Sequence, residues 1–253
     1  MMSMTVTMHP IWQTGAVILV LAIAAALALQ LLVHQALPAP IRQEHTLLGG
    51  AIFSVIGTTY AVLLAFMAST AWGQYSAAED LARHEANLIA SFHAASQGVA
   101  DPAGAGLRSD ARAYLDHIID AEWPAQIAGH PVPATEALLT RLQQRLLTLP
   151  EADRAKLQGM FDEITDARRN RRLATHGTIP DLVWIVLLSG GVLVVAFSFV
   201  LGAPTQGLHL VMTGALVASG VLVLLLIIGL SSPFHGAVTI APDAYRAVRA
   251  EMG

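Results

Sequence analysis

Ten histidines are the side chains here best suited to hold a metal, and their spacing decides whether they could. A helical zinc site needs two histidines four residues apart. His84-Glu85 runs on into Ala86-Asn87-Leu88 with no second histidine at that distance. His84 and His93 are nine apart, on opposite faces of one helix. Asp116 and His117 are adjacent and cannot face each other. No metal and no cofactor are expected. For acid–base chemistry the nearest carboxylate pairs are Asp162-Glu163 and Asp116 with Asp120, a pattern that solvated helix faces commonly show. There is no cysteine, no Gly-x-Ser-x-Gly elbow and no glycine-rich phosphate loop behind a strand. The chain is not expected to be an enzyme. One basic cluster remains: Arg168, Arg169, Arg171 and Arg172. It could hold anionic headgroups at an inner leaflet, or it could complement the C-terminal end of a helix dipole.

The elements that position these residues follow from where charge is missing. The 253 residues carry 14 Lys and Arg against 18 Asp and Glu. All of them lie outside residues 1–41, 45–78 and 182–242. A soluble domain spreads about 25% charge along its length, so an ordinary soluble protein is excluded. The net charge of -4 gives no reason to expect nucleic acid as a partner. About 20 apolar residues cross a bilayer as a helix. Spans are expected at Trp12–Val33, Leu47–Trp72, Pro180–Leu201 and Leu208–Leu230, the last two joined by the turn-forming run from Gly202 to Gly207. Ala26-Leu27-Ala28 resembles a signal cleavage site, but no Lys or Arg precedes the apolar stretch, and a retained helix is expected.

Four spans put both termini and the 73–179 segment on one side, with 13 of the 14 basic residues; only Arg42 is on the other. Excess Lys and Arg mark the cytoplasm, so that side should be cytoplasmic. Trp12, Trp72 and Trp184 fall at the ends facing it, where indoles favour the headgroup level. The expected fold is all-α. Residues 1–72 hold spans one and two, 73–179 a cytoplasmic helical bundle, 180–232 spans three and four, and 233–253 a cytoplasmic tail. Inside 73–179 the apolar stripes are Tyr75, Ala78, Ala82, Leu88, Ile89, Phe92 and Ala95; Leu107, Ala111, Tyr114, Leu115 and Ile118, stopping at Trp123-Pro124; Leu138, Leu139, Leu142, Leu146 and Leu149; and Leu157, Met160, Phe161, Ile164 and Leu173.

The spans carry no ionisable residue in their middle; His34, Asp181 and His209 stand at the edges. That argues against an ion-coupled transporter or a voltage sensor. Span two has small residues every fourth position, Gly57, Ala61, Ala65, Ser69 and Gly73, beside Gly50, Ser54 and Thr58. Small rows let helices approach closely in lipid. The partner could be another span of the same chain, or further copies of the chain around an axis. In the second case span two would line a neutral pore with Ser54, Thr58 and Thr59, and Phe53 or Tyr60 as a narrow ring.

The chain resembles the bacterial bestrophin-like domain family. The likeness is carried by Gly57-Thr58-Thr59-Tyr60-Ala61-Val62-Leu63-Leu64-Ala65-Phe66, Ala71-Trp72, Tyr75, Ala78 and Glu85-Ala86. It continues through Tyr114, Glu122-Trp123-Pro124, Arg168-Arg169, Arg171-Arg172-Leu173, Pro180 with Trp184, and Pro233-Phe234-His235-Gly236. Ser231-Ser232 depart from the acidic or amide residue that such members carry before Pro-Phe. The resemblance implies similarity to bestrophins, pentameric anion channels with two spans, a cytosolic helical region and two more spans. It implies a homo-oligomeric ion channel with lipid, copies of itself and inorganic ions as partners. Bestrophins hold calcium with an acidic cluster after the last span; here only Asp243 and Glu251 follow it, so calcium gating is not expected. The alternative is a membrane-anchored helical interaction or sensing module without transport. For Trp123 a place in the bundle core is expected rather than a docking role.

Overall fold

The computed structural model describes residues 9–36, 46–128, 130, 134–174, 179–203, 205–234 and 238–252. Among these the regular structure is helical throughout, with no strand. Two compact units emerge: Met1–Gly73 with Thr178–Ser231, and Gln74–Gly177 with Ser232–Gly253. Four helices are long and apolar enough to cross a membrane. They are α1 (His9–Ala36), α2 (Thr46–Ala95), α7 (Asp181–Val200) and α8 (Gln206–Leu230).

In the first unit α1 packs along α8, and both meet α7. Small residues set the approach. A Cβ on Gly15 would sit 3.6 Å from Leu225, and one on Gly214 would sit 4.0 Å from Ile23. Ala26, Phe199 and Val217 form a small core between the three helices. Pro180 caps the start of α7, where its missing N–H is harmless. The Gly202 N–H in the α7–α8 turn donates to the Thr46 hydroxyl at 3.0 Å. Outward faces remain apolar and uncovered: Val17, Leu21, Val62, Phe66, Val192 and Met212 are all exposed. Surfaces like this require lipid or protein against them.

The second unit takes the far half of α2, then α3 (Ala103–His117), a π turn (Ile118–Glu122), α4 (Trp123–Ile127), α5 (Ala134–Leu147), α6 (Glu151–Leu173) and α9 (Asp243–Glu251). α3 starts where Asp101 accepts the Ala105 N–H at 2.8 Å, satisfying a first-turn donor. The core is built from the expected stripes: Ala78, Ala82, Ile89 and Phe92 of α2; Leu107, Ala111, Tyr114 and Leu115 of α3; Leu139, Leu142 and Leu146 of α5; Leu157, Phe161 and Ile164 of α6.

Three expectations need correcting. Trp123-Pro124 does not stop a helix. The π turn lets the Trp123 N–H reach the Ile118 carbonyl five residues back, and the chain continues helically to Ile127. The widened turn accommodates a ring that would clash in a regular α-helix. Leu173 faces out, 66% exposed. The inward stripe of α6 runs Leu157, Phe161, Ile164, Arg168, Arg171 instead. Finally, residues after span four are not a separate tail in packing terms: Phe234, Ile240, Tyr245 and Val248 belong to the bundle core.

Candidate functional sites: an open helix face and a buried ionic centre

On α2, Leu64, Met67 and Ala71 are buried, and Phe53 and Tyr60 continue the same face. Phe53 stacks on Phe197 of α7 with ring centroids 6.1 Å apart. The Tyr60 hydroxyl donates to the Leu187 carbonyl at 3.1 Å. Its ring lies so close to α7 that a Cβ on Gly190 would come within 2.9 Å of it. Gly190-Gly191 is thus a close approach where only glycine fits. Phe53 and Tyr60, read as candidates for a narrow ring, are turned toward α7 instead, because bulky aromatics bury more area against a neighbouring helix.

The small row behaves oppositely. Ala61, Ala65, Ser69 and Gly73 are exposed, with Gly57 partly covered. A Cβ on Gly50, Gly57 or Gly73 would meet no atom of the described residues within 4 Å. Ser54 and Thr58 lie on this open side. The Ser54 hydroxyl donates to the Gly50 carbonyl at 2.9 Å, and that of Thr59 to Val55 at 2.9 Å. With their protons held by the helix, both oxygens present lone pairs outward.

A polar junction joins the ends of α1, α7 and α8. His34 Nε2 lies 3.1 Å from His209 Nδ1, and His209 Nε2 lies 3.0 Å from the Ser198 carbonyl. A carbonyl only accepts, so His209 Nε2 carries the hydrogen; its Nδ1 in the neutral ring then accepts from His34. Gln30 and Thr213, one turn further along each helix, are buried as well. The sequence places these histidines at two span edges, and only helix pairing brings them together.

In the second unit Glu85, Glu122, Arg168 and Arg171 converge. Arg171 is fully buried. Its Nε donates to Glu85 at 2.6 Å, Nη2 to Glu122 at 2.7 Å and Nη1 to Gln126 at 2.7 Å. Glu85 also accepts from the hydroxyls of Tyr114 at 2.9 Å and Tyr245 at 3.0 Å. Arg168 donates to Glu122 at 3.0 Å and to Glu136 at 3.1 Å. Trp123 is buried; its indole N–H donates to the Ile240 carbonyl at 3.0 Å, and its ring lies 5.2 Å from the Arg171 guanidinium. Phe234 meets Trp123 edge-on, and Pro233 is buried beside it. Gly236 lies outside the described residues. Burial pushes the Glu122 carboxyl up, but Arg171 and Arg168 outweigh it and leave it below its ordinary value. Burial, reinforced by Glu85, holds the Tyr114 and Tyr245 hydroxyls well above theirs.

This arrangement corrects the reading of the basic cluster as a headgroup site. Arg168 and Arg171 face into the bundle and spend their donors on carboxylates. Arg169 and Arg172 remain exposed, Arg169 beside Asp166 at 3.0 Å and Arg172 beside Glu136 at 3.4 Å. The available signal was charge on an apolar stripe. Glu85 stands between Ala82 and Ile89 at three- and four-residue spacing, and Arg168 and Arg171 extend Leu157-Phe161-Ile164 the same way. Of the two acids after span four, Asp243 pairs with Arg246 at 2.9 Å, which is no calcium cage.

A Bestrophin-like domain model matches residues 20–245. No curated protein matches the chain. Among solved structures, the bacterial bestrophin homologue from Klebsiella pneumoniae superposes with a TM-score of 0.69 at 15% identity, covering 92% of this chain and 96% of that one. Two mutants of the same homologue give TM-scores of 0.70 and 0.71 at 15% identity, each covering 92% of this chain and 97% of the other. At that identity the likeness shows a shared fold; the family match, over most of the length, settles membership. This chain belongs to the Bestrophin-like domain family.

Proposed function

We propose that the protein is a homo-oligomeric ion channel of the bacterial inner membrane, with α2 lining the symmetry axis and the 73–179 bundle in the cytoplasm. The observation that carries this reading is the open face of α2. Among the described residues Ala61, Ala65, Ser69 and Gly73 are exposed and Gly57 is only partly covered, although such rows admit a closely packed helix. Four apolar helices cannot enclose a wet pore alone, so conduction needs several copies. The wall they would form is neutral, with hydroxyl oxygens from Ser54, Thr58 and Thr59 and constrictions from small apolar side chains. The buried ionic centre would serve as a rigid support for α2, since Glu85 belongs to the same helix.

The test pairs the oligomeric state in detergent with ion flux from proteoliposomes. A discrete oligomer that passes ions supports the reading. Protein that stays monomeric at every concentration and passes none ends it, and leaves the membrane-anchored interaction module.

A further inference from the structure

The bundle contains a second feature that the ionic centre does not use. An open surface depression of about 660 Å³ is lined by His93, Gln97, Arg108, Ser109, Arg112 and Met252. None of the six is acidic. His93 and Gln97 stand one turn apart where α2 passes into a short 3-10 turn. Arg108 and Arg112 stand one turn apart on α3, with Ser109 beside them. Met252 closes a third side just past α9.

Arg112 sets the character of this cleft. Every other arginine among the described residues has a carboxylate oxygen within 4.0 Å. Arg112 meets none among the described residues; its Nη1 donates to the Met252 carbonyl at 3.1 Å, which is neutral. Arg108 meets Asp101 at 3.0 Å and the Ser96 carbonyl at 3.1 Å. Of the two guanidinium groups only Arg108 meets a carboxylate, and Asp101 lies outside the lining. Among the described arginines, Arg112 alone stands without a carboxylate partner, at a concave surface with the neutral donors Gln97 and Ser109 in the lining.

We propose that the cleft binds a phosphate monoester. Guanidinium forks match phosphate oxygens two at a time, and the Ser109 hydroxyl and Gln97 amide add donors from two sides. The volume lies within the range of small-molecule sites and leaves room for an organic group beyond the phosphate. A soluble phosphorylated metabolite and the headgroup of a phosphatidic lipid offer the same chemistry, and the experiment separates them.

Full-length protein in a phosphate-free sugar detergent is titrated with glycerol 3-phosphate, and separately with phosphatidic acid in the micelle. Ionic strength is held with chloride, and the unfolding temperature is followed by tryptophan fluorescence. The wild type gives a saturable rise, and its apparent Kd weakens roughly tenfold or more in Arg112→Gln. Arg112→Lys keeps the charge, loses the fork and also weakens binding, so a misfolded glutamine variant does not remove the test. Arg154→Gln, far from the cleft in sequence and paired with Glu151, keeps the wild-type response. A response to glycerol 3-phosphate identifies a soluble ligand, and a response to phosphatidic acid alone identifies a headgroup. No shift in either arm, or equal shifts in the wild type and both Arg112 variants, overturns the proposal.

Discussion

Removing the Arg171 guanidinium leaves the Glu85 and Glu122 carboxylates buried with too few donors. Breaking one side of such a pair costs about 3–5 kcal/mol, so Arg171→Met should lower stability by that order in denaturant unfolding. The exposed neighbour Arg169 should tolerate Arg169→Gln with little change. Tyr245→Phe removes one of the three donors to Glu85 and should cost about 1–2 kcal/mol, readable in the same experiment. The pH response follows from the same centre. Glu122 titrates below its ordinary 4.5 when folded, so its contribution is present above that value and is lost as pH falls through the folded one. Tyr114 and Tyr245 titrate above 10; their contribution is present below 10 and is lost as pH rises through the folded values. The contribution of this centre to the unfolding temperature should therefore be level through neutrality and decline in acid below about 4.5 and in strong alkali. His93, held below its ordinary 6.5 by burial and by Arg108 and Arg112, adds a smaller loss as pH falls below 6.5. A decline centred near pH 7 would assign the dominant titration elsewhere.

Two glycine sites separate the faces of α2 at the level of elements. Gly190→Leu puts a side chain into the Tyr60 ring and should prevent α2 from seating on α7, seen as loss of monodisperse protein. A Cβ on Gly57 meets no atom of the described residues within 4 Å, so Gly57→Leu should leave the subunit folded while the proposed oligomer dissociates in size-exclusion chromatography with light scattering. Equal effects from both would refute the open-face reading. At α4, Trp123-Pro124 reads as a helix stop by residue type, yet the π turn carries the chain through it. Burial of Trp123 against Phe234 and Tyr245 rewards that geometry, an advantage no local rule contains.

For the whole molecule, the orientation of the bundle is the outstanding expectation, and the absence of cysteine makes it easy to test. A single Lys156→Cys, exposed on α6, should react with an impermeant maleimide only after cells are opened. Labelling of intact cells would reverse the topology. A functioning channel should also lose flux with Ala61→Trp, which fills the proposed axis, while Val192→Trp on an exposed face of α7 should pass ions normally.

Composition and spacing alone determined the all-helical class, the four spans and most of the bundle core. The reason is that long uncharged runs are stable only in lipid, and period-3.6 apolar stripes must find partners. The family likeness was also legible, since it rests on residue types at fixed separations. Tertiary structure decided what each marked residue does. Arg168 and Arg171 became interior counter-charges because α6 turns them onto Glu85 and Glu122, 86 and 49 positions away from Arg171 in the chain. His34 found His209 across 175 residues, and the C-terminal segment became core because Tyr245 reaches Glu85. Such pairings depend on which helix faces meet, and a linear pattern does not contain that information.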